Sequence, residues 1–133
     1  MPQIPPAERA VATLLKAYPK NVQETAYAAR QMVLAILPSA TEVIDDKARV
    51  IGYGYGTGYR DMICTLILSK GGVKLGLVGG AELPDPRHLM EGKGKRHRYV
   101  ALATPTGLCR AGLKPLMRAA LSAWRRANGG AYQ

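Results

Sequence analysis

Four apolar and β-branched segments fall between residues 43 and 78, and the stretches joining them are too short to hold a helix. They are Val43–Asp45, Arg49–Gly54, Asp61–Ser69 and Val73–Val78. Parallel neighbours need a crossover of a dozen or more residues, so consecutive strands here are expected to pair antiparallel. Gly71-Gly72 is a tight hairpin signal between the last two. Arg98–Ala103 adds a further strand.

The flanks have helical periodicity. Pro5 and Pro6 suit a first helical turn, where the missing N–H had no partner anyway, and Val11, Leu14, Leu15 and Tyr18 then share a face. Pro19 stops that helix. Asn21 and Glu24 have capping-box spacing, and Val22, Ala26, Ala29, Val33, Ile36 and Leu37 repeat at helical spacing up to Pro38. This predicts helices over about 6–18 and 21–37. A last helix over about 112–127 has Leu113, Leu116, Met117, Ala120 and Trp124 on its apolar face, Pro115 in its first turn, and Asn128-Gly129-Gly130 as its stop. In LPDPRHLMEG, Asp85 suits a cap, Pro86 a first position and Gly92 a left-handed close, which predicts one or two helical turns over 86–91. The expected fold is a single α+β domain spanning residues 1–133: an antiparallel β-sheet of about five strands, with two N-terminal helices and one C-terminal helix packed on it.

The stretch GYGYGTGYR, residues 52–60, invites comparison with phosphate-gripping loops. A dinucleotide loop needs G-x-G-x-x-G opening a helix, whereas Gly52, Gly54, Gly56 and Gly58 repeat with a period of two and no helix follows. A Walker loop needs Gly-Lys-Ser/Thr, which is absent. Period two is the alternation of a strand. Tyr53, Tyr55 and Tyr59 are expected on one face with glycines opposite, and Gly56-Thr57-Gly58 as a hairpin turn. The tyrosines read first as packing groups and second as the lining of a pocket.

Charge narrows the class of partner. The net charge is +10 and is concentrated late in the chain: residues 1–86 hold nine Lys/Arg and eight Asp/Glu, residues 87–133 ten Lys/Arg and Glu91 alone. That asymmetry favours a polyanionic or phosphorylated partner. No apolar run approaches the roughly 20 residues of a membrane span. The amino terminus, MPQIPPAERA, lacks the pattern of a secretory signal. Cys64 and Cys109 match no metal or redox spacing, and Cys64 in MICTLIL reads as a core residue. Together these point to a soluble protein of a reducing compartment, read as cytoplasmic, without a membrane partner.

Residues 79–102, GGAELPDPRHLMEGKGKRHRYVAL, resemble the signature of the YdhG-like family, small bacterial domains that include frataxin-like iron chaperones of Bacillus type. That signature runs Gly-x-x-Leu-x-Asp-Pro, Leu-x-Glu-Gly-x-Gly-Lys, then Arg and an apolar strand. Leu83, Asp85, Pro86, Leu89, Glu91, Gly92, Gly94, Lys95, Arg98 and Val100 stand in matching places. Tyr99 stands where many members have histidine, and the glycine–tyrosine strand replaces a Trp-Gly-x-Pro segment. The resemblance implies an α+β domain with helices packed on an antiparallel sheet, and it marks family more than activity.

The loop EGKGKRHR holds the most pointed chemistry. Lys93, Lys95, Arg96, His97 and Arg98 are the candidate ligand-binding residues: cations beside Gly92 and Gly94, whose backbone amides can turn toward an anion. The alternative is a solvated basic turn in which Arg98 pairs with Asp85 or Glu91. His88 and His97 form no ligand cluster, and no catalytic triad, carboxylate pair or cofactor fingerprint is present. The expectation is therefore a non-enzymatic domain, with no cofactor or metal, that binds a small anion or acidic partner. The family analogy offers iron delivery through Glu42, Asp45 and Asp46, although Lys47 and Arg49 follow at once. Nucleic-acid binding is the third reading. It rests on one basic patch made from residues 93–98 and the cations Arg110, Lys114, Arg118 and Arg125, with tyrosines as stacking surfaces.

Overall fold

The computed structural model describes residues 6–56 and 58–128. Two helices, α1 (Pro6–Leu15) and α2 (Lys20–Ile36), precede five strands and a final helix. The strands are β1 (Thr41–Asp45), β2 (Val50–Gly54), β3 (Met62–Ser69), β4 (Gly72–Leu77) and β5 (Arg98–Leu102), and the helix is α3 (Leu113–Ala127). All four strand pairs are antiparallel in the order β1-β2-β3-β4-β5. The α+β architecture read from the sequence is the one observed.

Register divides the sheet into two unlike faces. Glu42, Tyr53, Cys64 and Leu77 form one cross-strand row, and Ile44, Ile51, Leu66, Leu75 and Val100 the next. This face meets the helices: Ile51, Tyr53, Cys64, Leu66, Leu75 and Val100 are fully buried, in one cluster with Val11, Val22, Ala29 and Met117. Each such aliphatic side chain contributes about 1.5–3 kcal/mol by leaving water. The other face carries Val43, Gly52, Thr65, Gly76 and Tyr99 in one row, and Asp45, Val50, Ile67, Lys74 and Ala101 in the next.

Local chemistry accounts for several departures from expectation. The capping box at Asn21 and Glu24 does not form: α2 starts a residue earlier, Pro19 is its N-cap, and no side chain caps it. Thr25 instead donates to the Asn21 carbonyl. Residues 86–91 are not helical. The Asp85 carboxylate accepts from the amides of Leu89 and Met90, both at 2.9 Å, while Glu91 exchanges two backbone hydrogen bonds with Tyr99. An aspartate that collects amides this way competes with the helix ladder, and the bridge to β5 holds the chain extended. Pro115 does lie in the first turn of α3, which follows Gly112 at φ +91. The expected turn at Gly56-Thr57-Gly58 and the stop at Gly129-Gly130 fall partly outside the described residues.

A bulge interrupts the β2–β3 ladder, where Tyr53 pairs with Cys64 but Gly54 pairs with Met62. It brings the Asp61 carbonyl against Gly54, where a Cβ would collide with it, and Met62 Sδ against the place a Gly52 Cβ would take. The tyrosines therefore part company. Tyr53 is buried in the core, whereas Tyr55 is half-buried, packs against Trp124 with ring centroids 5.2 Å apart, and donates to the Pro38 carbonyl at 2.9 Å. The side chain of Tyr59 lies outside what is described.

Candidate functional site

Beyond the end of β4 the chain makes a 3₁₀ turn at Gly80–Glu82 and doubles back toward β5. Gly80 is pressed against the backbone and Cβ of Arg98. The Ala81 amide donates to the Arg96 carbonyl at 2.9 Å, so the basic loop is stapled to the turn through its backbone. One flank of α3 opposite this turn is made of Ala120, Ala123 and Ala127, side chains too small to fill the gap. The result is a cleft of about 400 Å³.

The floor of the cleft is apolar, with Met62, Ile63, Val78 and Leu83 facing the alanine flank and Trp124. Trp124 is held from behind by Tyr55, and its indole N–H points to the Arg60 carbonyl at 3.5 Å. The rim carries three charged side chains: Arg60, Arg96 and Glu82. Among the described residues neither guanidinium is in an ion pair. The C-terminal end of α3 also borders the cleft, but its carbonyls are engaged, since the Asn128 amide and side chain both donate to Trp124 O. Two exposed forks over an apolar floor can grip a carboxylate or phosphate and shelter an attached hydrocarbon.

The five sequence-predicted site residues do not converge. Arg96 lines the cleft. Lys93 and Lys95 are exposed on the loop away from its lining. Arg98 is half-buried at the start of β5 and donates to the His97 carbonyl at 3.1 Å. His97 is exposed, with its side chain outside the cleft lining. Among the described residues Arg98 pairs with neither Asp85 nor Glu91; Asp85 is committed to the turn amides. The cations of α3 lie apart from Arg96. Lys114, Arg118 and Arg125 lie about 140–180° around α3 from Ala123, so the helix itself separates them from Arg96. Sequence reasoning missed Arg60, the last residue of a stretch read as strand end and turn; nothing local marks it as lining the same cleft as Arg96.

The acidic trio does not assemble. Strand alternation puts Glu42 on the helix side of β1 and Asp45 on the other. Arg30 holds Glu42 in a forked pair, Nε to Oε2 at 2.8 Å and Nη2 to Oε1 at 3.1 Å, and Tyr53 donates to the same carboxylate at 2.6 Å. This hydrogen bond to Glu42 raises the Arg30 pKa against the opposing effect of burial. Asp46 pairs with Arg49 at 2.8 Å, and Asp45 accepts from the Ala48 amide. The described residues contain no group of three or more His, Cys, Asp or Glu side chains placed to hold a metal ion. No described helix is long and apolar enough to cross a membrane. Burial drives the Cys64 thiol pKa far up, so this cysteine is an inert core group.

No protein-family model matches the chain, and neither a curated protein nor a solved structure matches it.

Proposed function

We propose that the chain is a non-enzymatic binding domain for an organic anion with an apolar body, a carboxylate or phosphate monoester, held in the cleft between the Gly80–Glu82 turn and α3. One observation carries this reading: Arg60 and Arg96, unpaired with any described carboxylate, stand on the rim of an apolar-floored cleft. Glu82 offsets one of the two positive charges and leaves a net attraction. Pro84 and Ala119, adjacent in sequence to the cleft residues Leu83 and Ala120, line a separate depression of about 300 Å³. The kinship to YdhG-like domains rests on the signature over residues 79–102. Iron delivery is disfavoured by Arg30 and Arg49, which occupy two of the three carboxylates it would need.

Trp124 is the only tryptophan and lines the cleft, so its emission reports occupancy directly. Titration with octanoate and with octyl phosphate is expected to shift that emission saturably, and inorganic phosphate at equal concentration to shift it far less. An unchanged spectrum with both octyl compounds overturns the reading. A titration with single-stranded oligonucleotide separates the nucleic-acid alternative, which predicts binding that weakens steeply with salt.

A further inference from the structure

β3 is the middle strand, and its sequence MICTLILS is almost unbroken in its apolar character. A strand with one face in the core and one in water alternates apolar and polar residues; near-continuous apolar strands are those covered on both faces. Here only one face is covered. Cys64, Leu66 and Leu68 lie in the buried cluster, whereas Thr65 and Ile67 project from the far side and are only part-buried, as are their neighbours Val43 and Val50. Gly52 and Gly76 flank Thr65 in its row and are themselves buried, with Met62 Sδ lying against Gly52 and the Thr65 and Ile67 side chains lying against Gly76.

The face is also distinct in charge. In a chain of net charge +10, the two rows hold a single acid, Asp45, and a single base, Lys74, both exposed. Asp45 uses Oδ1 for the Ala48 amide and keeps its other oxygen; the Lys74 ammonium stands 4.5 Å from the Tyr99 ring centroid. The surfaces carrying the cations of residues 87–133 would meet as like charges, but this face is neutral and self-complementary. A two-fold axis along β3 stacks Ile67 on Ile67 and lays β1 of one copy over β5 of the other. Asp45 of each copy then lies over Ala101 of the other, offset sideways by one strand spacing, about 4.8 Å, from Lys74 of that copy, with the two side chains reaching across the roughly 10 Å between stacked sheets.

From these features we infer that the outer sheet face is the contact between two copies of the chain. Five strands by about five residues give a patch of roughly 400 Å² in plan on each copy, about half the roughly 800 Å² per partner of a standard interface, so the dimer is of the weak, concentration-dependent class. Met62 borders both regions, since it lines the cleft and its Sδ lies against Gly52, but the inference does not depend on anything bound in the cleft.

Sedimentation velocity of the full chain near physiological salt tests it. The expected result is a mass rising from 14.3 kDa toward twice that value as concentration increases. Ile67→Lys places two ammoniums on the axis, and Lys74→Glu turns the attraction to Asp45 into repulsion; each is expected to hold the chain at the monomer mass. Lys74 is exposed, so Lys74→Glu stays informative if Ile67→Lys fails to fold. Arg118→Glu, on the exposed side of α3, is expected to leave dimerisation intact. A wild-type chain that stays monomeric up to about 0.2 mM, where a micromolar dimer is fully formed, overturns the inference. So does a dimer that persists in both Ile67→Lys and Lys74→Glu.

Discussion

Tyr53 stands directly opposite Glu42 in the β1–β2 ladder and donates its hydroxyl to Glu42 Oε2 at 2.6 Å. Arg30 reaches the same carboxylate from α2, so one buried acid ties a helix to the first two strands. The Glu42 side chain is only 7% exposed. Arg30→Ala strands that charge, and breaking a buried pair from one side is expected to remove about 3–5 kcal/mol of stability in urea titration. The triple variant Arg30→Met, Glu42→Leu, Tyr53→Phe takes away all three polar groups at similar volume and is expected to recover most of the loss. A triple variant as unstable as Arg30→Ala would show that the network holds the fold for a reason other than charge satisfaction.

The same tyrosine sets a response to alkali. Burial first, and the hydrogen bond to Glu42 second, raise the Tyr53 phenol above its ordinary value of 10.0; burial alone raises the Cys64 thiol above 9.0. Both folded-state pKa values are raised, so their contribution is complete below the unfolded values and is lost as pH climbs past them. Above about pH 9 for Cys64 and about pH 10 for Tyr53, the unfolded chain releases protons that the folded chain keeps. Stability then falls by about 1.4 kcal/mol per pH unit for each group. Urea midpoints measured from about pH 8 to 11 should show the slope steepening in two steps; Tyr53→Phe should shrink the second, to which the part-buried Tyr55 phenol, also raised by burial, contributes the rest. A flat profile would refute the assignment.

Much of the fold is legible because its information is local. Apolar and β-branched runs and Gly71-Gly72 locate β3 and β4 without reference to anything distant, and helical spacing places Val22, Ala26 and Ala29 on the buried side of α2. The 86–91 segment misleads for the opposite reason. Asp85, Pro86 and Gly92 are all good helix punctuation, but the outcome is decided by a bridge from Glu91 to Tyr99 that no local pattern announces. The site is less legible still. Lys93, Lys95 and Arg96 look equivalent in sequence, and only the backbone staple from Ala81 to Arg96 and the alanine flank of α3 select one of them. Arg30 and Glu42 likewise become partners only once α2 packs on the sheet and Arg30 reaches out to β1.

The bulge at Gly54 makes a sharp contrast between two glycines. A Cβ at Gly54 would overlap the Asp61 carbonyl, a backbone atom that cannot turn aside, whereas a Cβ at Gly79 would meet nothing within 4 Å. Gly79 also sits at φ −103, an ordinary value for alanine. Gly54→Ala is expected to destabilise by about 3 kcal/mol or more, with strain falling on the β2–β3 ladder. Gly79→Ala is expected to be neutral or to stabilise by up to about 1 kcal/mol, since it restricts the unfolded chain at no cost to the folded one. Thermal melts of the two variants check this, and equal effects would refute the close approach at the bulge.

The basic loop separates two ways in which this chain could hold an anion. If diffuse charge were responsible, removing any of the loop cations would weaken binding to a similar degree, because Lys93, Lys95 and Arg96 all sit in the same exposed segment. If the cleft is the site, only cations on its rim matter. Arg60→Ala and Arg96→Ala are each expected to weaken octyl phosphate about tenfold, the loss of one charge-assisted pair on a partly exposed rim. Lys93→Ala and Lys95→Ala should change the affinity by less than about twofold, a long-range effect that salt screens. Ala123→Leu should fill the cleft from the α3 side and abolish the response of Trp124 while every cation stays in place. All five variants change exposed or half-buried side chains, and melting curves within a few degrees of wild type should accompany them. Binding that follows the number of loop cations, and ignores Arg60 and Ala123, would move the site out of the cleft and back to the loop.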